Sequence, residues 1–355
     1  MKHVAIGLLI VACSTAVAEA QPRSAAKPAP PRATKAVSRE TKVAVLFGSD
    51  QAANNAAIAA LDQLKTSQRL TLTVRLAAKP EGYAALIDAL AAGAPELIIG
   101  AGGLDAAAFT AASARHPARH FLLLDAEVSG HPNVKSVTFR TDEGSFLAGV
   151  VAAVESKRGR VGFVGALESA PIKAHECAFE TGVRWATKER FLDVRGRHAY
   201  IGTTHEAFAR PDEGEALGQS MITYGADVLY AAAGSSGSGV IAAARRARVK
   251  AIGFDADQRH LAPDAVVITS VRKRIDRAVE TALAEIRRQS FTGGVTEMTL
   301  ANGGVDLAAP GRLAASTVKV VEKARMAVVS GEAPTCVKEE DRVPAWNFPP
   351  RPQSP

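Results

Sequence analysis

The sequence predicts a doubly wound α/β protein made of two similar lobes, each built on a parallel sheet. Three observations carry that expectation. Short apolar runs alternate with helix-length segments through most of residues 42–329. The alternation restarts at Lys157-Arg158-Gly159-Arg160, which divides the chain into comparable parts. One unit, Ala226 to Gln258, holds a buried strand (Val228–Ala232), a small-residue loop (Gly234–Gly239), a helix (Val240–Arg248) and a second buried strand running to Asp255 and Asp257. Strands joined in this way are parallel neighbours with their carboxyl ends on one edge. Open α/β sheets bind ligands at that edge. Glycine lets backbone N–H groups approach a ligand closely, and a carboxylate accepts hydrogen bonds from sugar hydroxyls.

The elements follow in order. Lys42–Phe47 reads as a strand, Ala52–Lys65 as a helix and Leu70–Leu76 as a strand. Glu81–Ala92 is a helix, Glu96–Gly100 a strand, Leu104–Arg115 a helix and His120–Leu124 a strand. Val134–Phe139 is the next strand, and Asp142–Glu155 a helix whose acidic first turn suits the helix dipole. After the restart come strand Val161–Gly165, helix Pro171–Thr187, strand Arg197–Ile201 and helix Pro211–Tyr224. The Ala226–Gln258 unit follows, then strand Val266–Thr269, helix Lys273–Gln289 and a last helix, Arg312–Val329. Residues 333–355 are Pro-rich and are expected to be a loose tail.

The chain opens with Met-Lys-His, an apolar run from Val4 to Ala12 and then small residues. This is the pattern of a signal peptide over residues 1–20, too short to span a bilayer as a mature helix. Ala18-Glu19-Ala20 suits ordinary cleavage, whereas Ile10-Val11-Ala12-Cys13 suits lipidation at Cys13; cleavage is preferred because the apolar run is short. Either route takes the protein to the periplasm or another extracytoplasmic place. Residues 21–41, rich in Ala, Pro, Lys and Arg, read as a flexible tether. Arg23, Lys27, Arg32, Lys35, Arg39 and Lys42 against Glu40 account for five of the seven net positive charges. The basic balance is therefore mainly a tail property and does not argue for a nucleic-acid partner. Cys177 falls in a helix and is expected to be a small buried hydrophobe rather than the disulfide partner of Cys336.

Catalytic chemistry finds no support. No Gly-x-Gly-x-x-Gly follows the first strand, and Gly234–Gly239 lacks the Lys-Ser/Thr of a phosphate loop. His116 and His120 flank Pro117, and Asp255-x-Asp257 lacks a third ligand, so no metal is expected. No nucleophile elbow occurs. The expectation is a protein with no catalytic residues and no cofactor.

These residues resemble the basic membrane protein family of exported solute-binding proteins, the purine nucleoside receptor-like lipoproteins. The likeness covers about residues 42–332. It rests on Pro95-Glu96-Leu97-Ile98-Ile99-Gly100, Phe121-Leu122-Leu123-Leu124-Asp125, Glu143-Gly144-Ser145-Phe146-Leu147-Ala148-Gly149, Val161-Gly162-Phe163-Val164-Gly165, Ile252-Gly253-Phe254-Asp255-Ala256-Asp257-Gln258 and Thr269-Ser270-Val271-Arg272-Lys273-Arg274. The resemblance implies a type I periplasmic-binding-protein fold with a hinged cleft and three crossovers. Lobe one would hold about residues 42–159 and 270–293, lobe two about 160–269 and 294–306; the lobe of helix 312–329 is left open. It also implies a monomer that captures a nucleoside-like ligand and delivers it to an ABC permease in the inner membrane. A signalling sensor of the same fold and a nucleoside-processing enzyme are the alternatives.

The resemblance also assigns ligand-binding residues. Asp255 and Lys273 match positions that grip ribose hydroxyls. Gly234 matches a turn that presents backbone groups, and Phe208 a ring that stacks on the base. Asp50-Gln51-Ala52-Ala53-Asn54 stands where the family loop reads Asp-Lys-Ser-Phe-Asn, so Asp50 and Asn54 match it; Asp125, by its own place at the end of a first-lobe strand on the cleft edge, is expected to accept from a base N–H. Ala53 stands where that loop has its stacking Phe, and Gly103 replaces a second aromatic. The ribose end is thus better kept than the base end.

Overall fold

The structure is a computed structural model that describes residues 40–336 apart from 78, 191, 263–265 and 309–311. The expected signal peptide with Cys13, the tether before residue 40 and the tail beyond Cys336 lie outside the described residues.

The chain begins with β1 (Thr41–Phe47), α1 (Gln51–Ser67), β2 (Leu70–Leu76), α2 (Tyr83–Ala92), β3 (Leu97–Ala101), α3 (Ala106–Ser113), β4 (Phe121–Leu124) and β5 (Val134–Phe139). It continues with α4 (Thr141–Glu155), β6 (Arg160–Leu167), α5 (Ala170–Arg190), β7 (Arg195–Gly202), α6 (Pro211–Thr223), β8 (Val228–Ala232), α7 (Gly237–Ala247) and β9 (Lys250–Gly253). Last come β10 (Val267–Lys273), α8 (Ile275–Arg287), β11 (Gly294–Met298), β12 (Val305–Leu307) and α9 (Ala315–Val329).

Two six-stranded sheets result, ordered β11-β5-β4-β3-β1-β2 and β12-β10-β9-β8-β6-β7. Every pairing is parallel except that of β12 with β10. The central strands are apolar at nearly every position because helices cover both faces. In β1, Val43, Val45 and Phe47 enter one core cluster, while Ala44 and Leu46 enter the opposite one. In β8, Val228 and Tyr230 face one core and Leu229 and Ala231 the other.

The lobe boundaries differ from the expectation. Helix α4 belongs to lobe two: Phe146, Val150 and Val151 pack with Phe163 and Phe179 in its core. The chain therefore enters lobe two at Arg140–Thr141, not near Arg160. Strand β10 stays in the second sheet through Lys273, so the return falls at Arg274 rather than near Ser270. Helix α8 then packs in lobe one through Ile275, Val279 and Leu283. Residues 294–298, expected in lobe two, form an edge strand of the first sheet, and only β12 rejoins the second. Helix α9, left unassigned, joins the lobe-two core through Val320, Ala324 and Ala327. The crossovers are stitched together: Arg140 N donates to Met298 O at 2.8 Å and Arg274 N to Gly304 O at 2.8 Å.

Two further expectations fail. Cys177 is buried, but it forms a disulfide with Cys336. The separation of 159 residues hid this. Helix α9 packs on lobe two, and the chain beyond it meets α5. The loose tail accordingly does not start at 333. Ala333 is buried, and Thr335 Oγ1 donates to Asp142 Oδ2 at 3.0 Å beside the first crossover.

Candidate functional site

The carboxyl ends of β4, β9 and β10 converge where the two sheets face each other. Each strand delivers one charged side chain. Asp125 directly follows β4, with φ of 59°, and Asp255 lies just past β9, with φ of 68°. Aspartate tolerates this left-handed conformation better than most residues, because its short side chain bonds locally. The turn directs each carboxylate off the end of its strand. Lys273 is the last residue of β10, not the start of a helix, so the dipole penalty expected of a helix-start cation does not arise. Its backbone N–H donates to Asp255 O at 3.1 Å, which locks the two strand ends together.

The Lys273 ammonium joins the lobes. It donates to Asp125 Oδ2 of lobe one at 3.1 Å and lies 3.3 Å from Asp255 Oδ1 of lobe two. Burial by itself would lower its pKa, but the two carboxylates outweigh burial and hold it above the ordinary lysine range. Asp255 is pushed the other way. Burial raises its carboxyl more than Lys273 lowers it, and the nearby charges of Asp125 and Asp50 add to the rise. Asp255 Oδ1 is sealed from solvent and has no well-aligned hydrogen-bond donor among the described residues.

Below Asp255 lies an aromatic floor. The Phe254 ring packs on His175 at 4.9 Å and on Tyr230 at 6.1 Å, and Tyr230 stacks on Phe179 at 5.2 Å. Tyr230 OH shares a 2.8 Å hydrogen bond with Ser145 Oγ. Burial pushes the Tyr230 phenol well up and His175 down to about 4, with the Lys273 charge adding to the latter. Both are therefore neutral near pH 7.

The remaining expected residues divide. Gly234, at φ of 57°, opens the turn after β8 and lines the same cleft as Asp255 and Lys273. That cleft has a volume of about 480 Å³ and runs between α1 and the loops after β8 and β9. Asp50 caps α1, accepting from Ala53 N at 3.0 Å, and its charge is felt at Asp255. Asn54 is buried, donates to Gly48 O at 2.9 Å and packs against Gly102, so it ties two lobe-one loops together and does not line the cleft. Phe208 does not line it either. Its ring stacks on His205 at 5.9 Å and packs against the small cluster of Ala166, Ala207 and Ala233. Its segment is nevertheless tied to the Gly234 turn, since Ser236 Oγ donates to Ala207 O at 2.7 Å and accepts from Arg210 N at 2.6 Å.

Sequence reasoning missed the lobe-one wall of the cleft: Asn55, Ile58, Asp62 and Gln63 on α1. The available signal was that this helix carries a mixed polar face beside an apolar one, but the same pattern marks any surface helix. Among the described residues no group of three potential metal ligands occurs, and no helix is long and apolar enough to cross a membrane.

Comparison with known proteins agrees with this architecture. The sequence pattern of the PnrA-like ABC transporter substrate-binding protein family matches residues 42–345. A CD4+ T-cell-stimulating antigen of Listeria innocua is 33% identical over 214 residues, covering 56% of this chain and 58% of that protein. The ABC transporter nucleoside-binding protein BmpA of Lactococcus lactis is 29% identical over 255 residues, covering 67% and 70%. The chain thus spans between about half and seven-tenths of the curated relatives it matches. A crystal structure of an ABC transporter solute-binding protein from Aeropyrum pernix superposes with a TM-score of 0.68 at 23% identity, covering 82% of this chain and 92% of that one, which shows a shared two-lobed fold. By the family pattern along nearly all of its folded length, the chain belongs to the PnrA-like ABC transporter substrate-binding proteins.

Proposed function

We propose that the protein captures a nucleoside or similar ribose-bearing ligand outside the cytoplasm and delivers it to an ABC permease. The observation that carries this reading is the Lys273 ammonium held between Asp125 of one lobe and Asp255 of the other, with a sealed Asp255 oxygen lacking an aligned donor. A vicinal diol suits that arrangement: one hydroxyl donates to Asp255 while the other accepts from Lys273. Both contacts involve charged partners and are enclosed, where hydrogen bonds are strong. Because the two carboxylates come from different lobes, the ligand would tighten the closed form, as expected of a hinged binding protein. The Lactococcus lactis relative, described as nucleoside-binding, supports the ligand class.

The base end supports a weaker preference. Ala53 and Gly103 offer no ring, and Phe208 lies outside the cleft lining. The expected ligand spectrum therefore includes pyrimidine as well as purine nucleosides. Calorimetry with adenosine and uridine tests both parts. Asp255→Ala should weaken binding by about 10- to 150-fold, the range for a lost hydrogen bond to a charged group. Unchanged affinity in that variant, with the fold intact, would leave Asp255 a purely structural residue and remove the proposal.

A further inference from the structure

We infer that the protein holds a second binding site, at the hinge and apart from the cleft, for a small molecule with an aliphatic body and a single carboxylate. A cavity of about 300 Å³ lies among α4, α9, the first turn of α8 and residues 300–307 of the returning crossover. That is at the low end of the volumes that take small ligands. Among the described residues only Arg274 lines both this cavity and the cleft. Its guanidinium is held by Asp276 at 2.9 Å and by Asp306 at 3.1 Å, and it partitions the two spaces.

The lining fixes the chemistry of the occupant. Leu147, Leu300, Val305 and Leu313 are buried and form an aliphatic floor continuous with the lobe-two core. Val318 and Val321 of α9 add a half-buried wall. No aromatic ring among the described residues lines the cavity, so a flat ring gains no stacking there. The rim is charged, and two of its three arginines are engaged. Arg325 bonds Glu322 at 2.9 Å, and Arg274 holds the two carboxylates named above. Arg277 of α8 differs. It lies over Gly303, where any side chain would strike the guanidinium, and its Nη1 reaches only Asn302 O, at 3.4 Å. Among the described residues no carboxylate pairs with it. A guanidinium presents a planar fork that matches a carboxylate. The rim also carries Asp306 and Glu322, whose charge disfavours a doubly negative group such as a phosphate. An alkanoate fits these walls: its chain covers the aliphatic floor, and its carboxylate meets Arg277.

The test is calorimetry of the full mature protein with octanoate, for wild type, Arg277→Gln and Val321→Trp, with octan-1-ol as the uncharged control. Neither substituted residue lines the cleft, so the outcome does not depend on the ribose reading. A thermal midpoint for each variant checks that the fold is kept. The expected result is one octanoate per chain, bound about tenfold more weakly by Arg277→Gln, the lower end of the range for a lost hydrogen bond to a charged group. Octan-1-ol should bind wild type at least as weakly as octanoate binds Arg277→Gln. In Val321→Trp the larger ring fills the cavity, and octanoate binding should be lost. No octanoate binding to wild type, several weak sites per chain, or affinity unchanged by Arg277→Gln overturns the site. So does octanoate binding that survives in a folded Val321→Trp, because the carboxylate then sits elsewhere. Arg277 is exposed, so its variant carries the test alone if Val321→Trp does not fold.

Discussion

His175 shows what a single buried group does to this protein. It is 9% exposed, packs at a tilt against Phe254, and its Nδ1 has no hydrogen-bond partner among the described residues. Burial and the Lys273 charge hold its pKa at about 4, whereas in the unfolded chain it would titrate near 6.5. Between those values the unfolded state binds more protons. The contribution to stability is therefore complete above about pH 6.5 and is lost as pH falls toward 4, by roughly 3 kcal/mol in all. Urea titrations across that range should show the fall in wild type and a flatter profile in His175→Gln; parallel profiles would refute the assignment. At this scale the sequence was partly legible. Asp255 and Gly234 stand where strand-end chemistry places them. Lys273 was misread because Val271-Arg272-Lys273 extends a strand that the eye ends at Thr269. The Asp125–Lys273 bond was beyond local pattern, since its partners lie 148 residues apart. Asn54 and Phe208 carried the right letters for a ligand contact, but their nearest neighbours here are loop backbone and a histidine ring.

Among elements, the α4–α5 pair carries the clearest local rule. Gly149 and Gly182 face each other across the two helices: a Cβ on Gly149 would strike the Phe179 carbonyl, and one on Gly182 the Phe146 carbonyl. Backbone cannot yield as a flexible side chain does, so both positions demand glycine. Gly182→Val should destabilise the protein by roughly 1–3 kcal/mol or more, read as a lower thermal midpoint. An unchanged midpoint would mean that the helices can move apart freely. Gly149 was visible as part of the helix-entry motif, but its reason was not, because the clash involves a segment 30 residues away that only the packing brings near. Strands with continuous apolar runs, such as β3, β4 and β8, were legible from sequence. Strands β11 and β12 were not: Gly-Val-Thr-Glu-Met lies half exposed at a sheet edge, and Val-Asp-Leu is three residues long. Neither presents the apolar run that marks a central strand.

For the molecule as a whole, the doubly wound class and two lobes followed from the alternation of patterns, whereas the routing between lobes did not. The restart at Lys157 marks a turn inside lobe two, and the true crossing precedes α4 at a point with no break in composition. The disulfide was likewise hidden by distance in sequence. Closing so long a loop restricts the unfolded chain strongly, so reduction should cost roughly 2–5 kcal/mol. Urea midpoints with and without dithiothreitol measure this directly; coincident curves would show that packing around α5 alone holds the segment. The bridge has a topological consequence as well. Cys177 and Cys336 close a covalent ring that threads β7 through β12 and two of the three crossovers. A protease cutting one peptide bond anywhere inside that ring opens it without dividing the molecule. Nicked protein would migrate intact on a non-reducing gel and separate only after reduction, so a single cleavage between the two cysteines need not detach the lobes from each other.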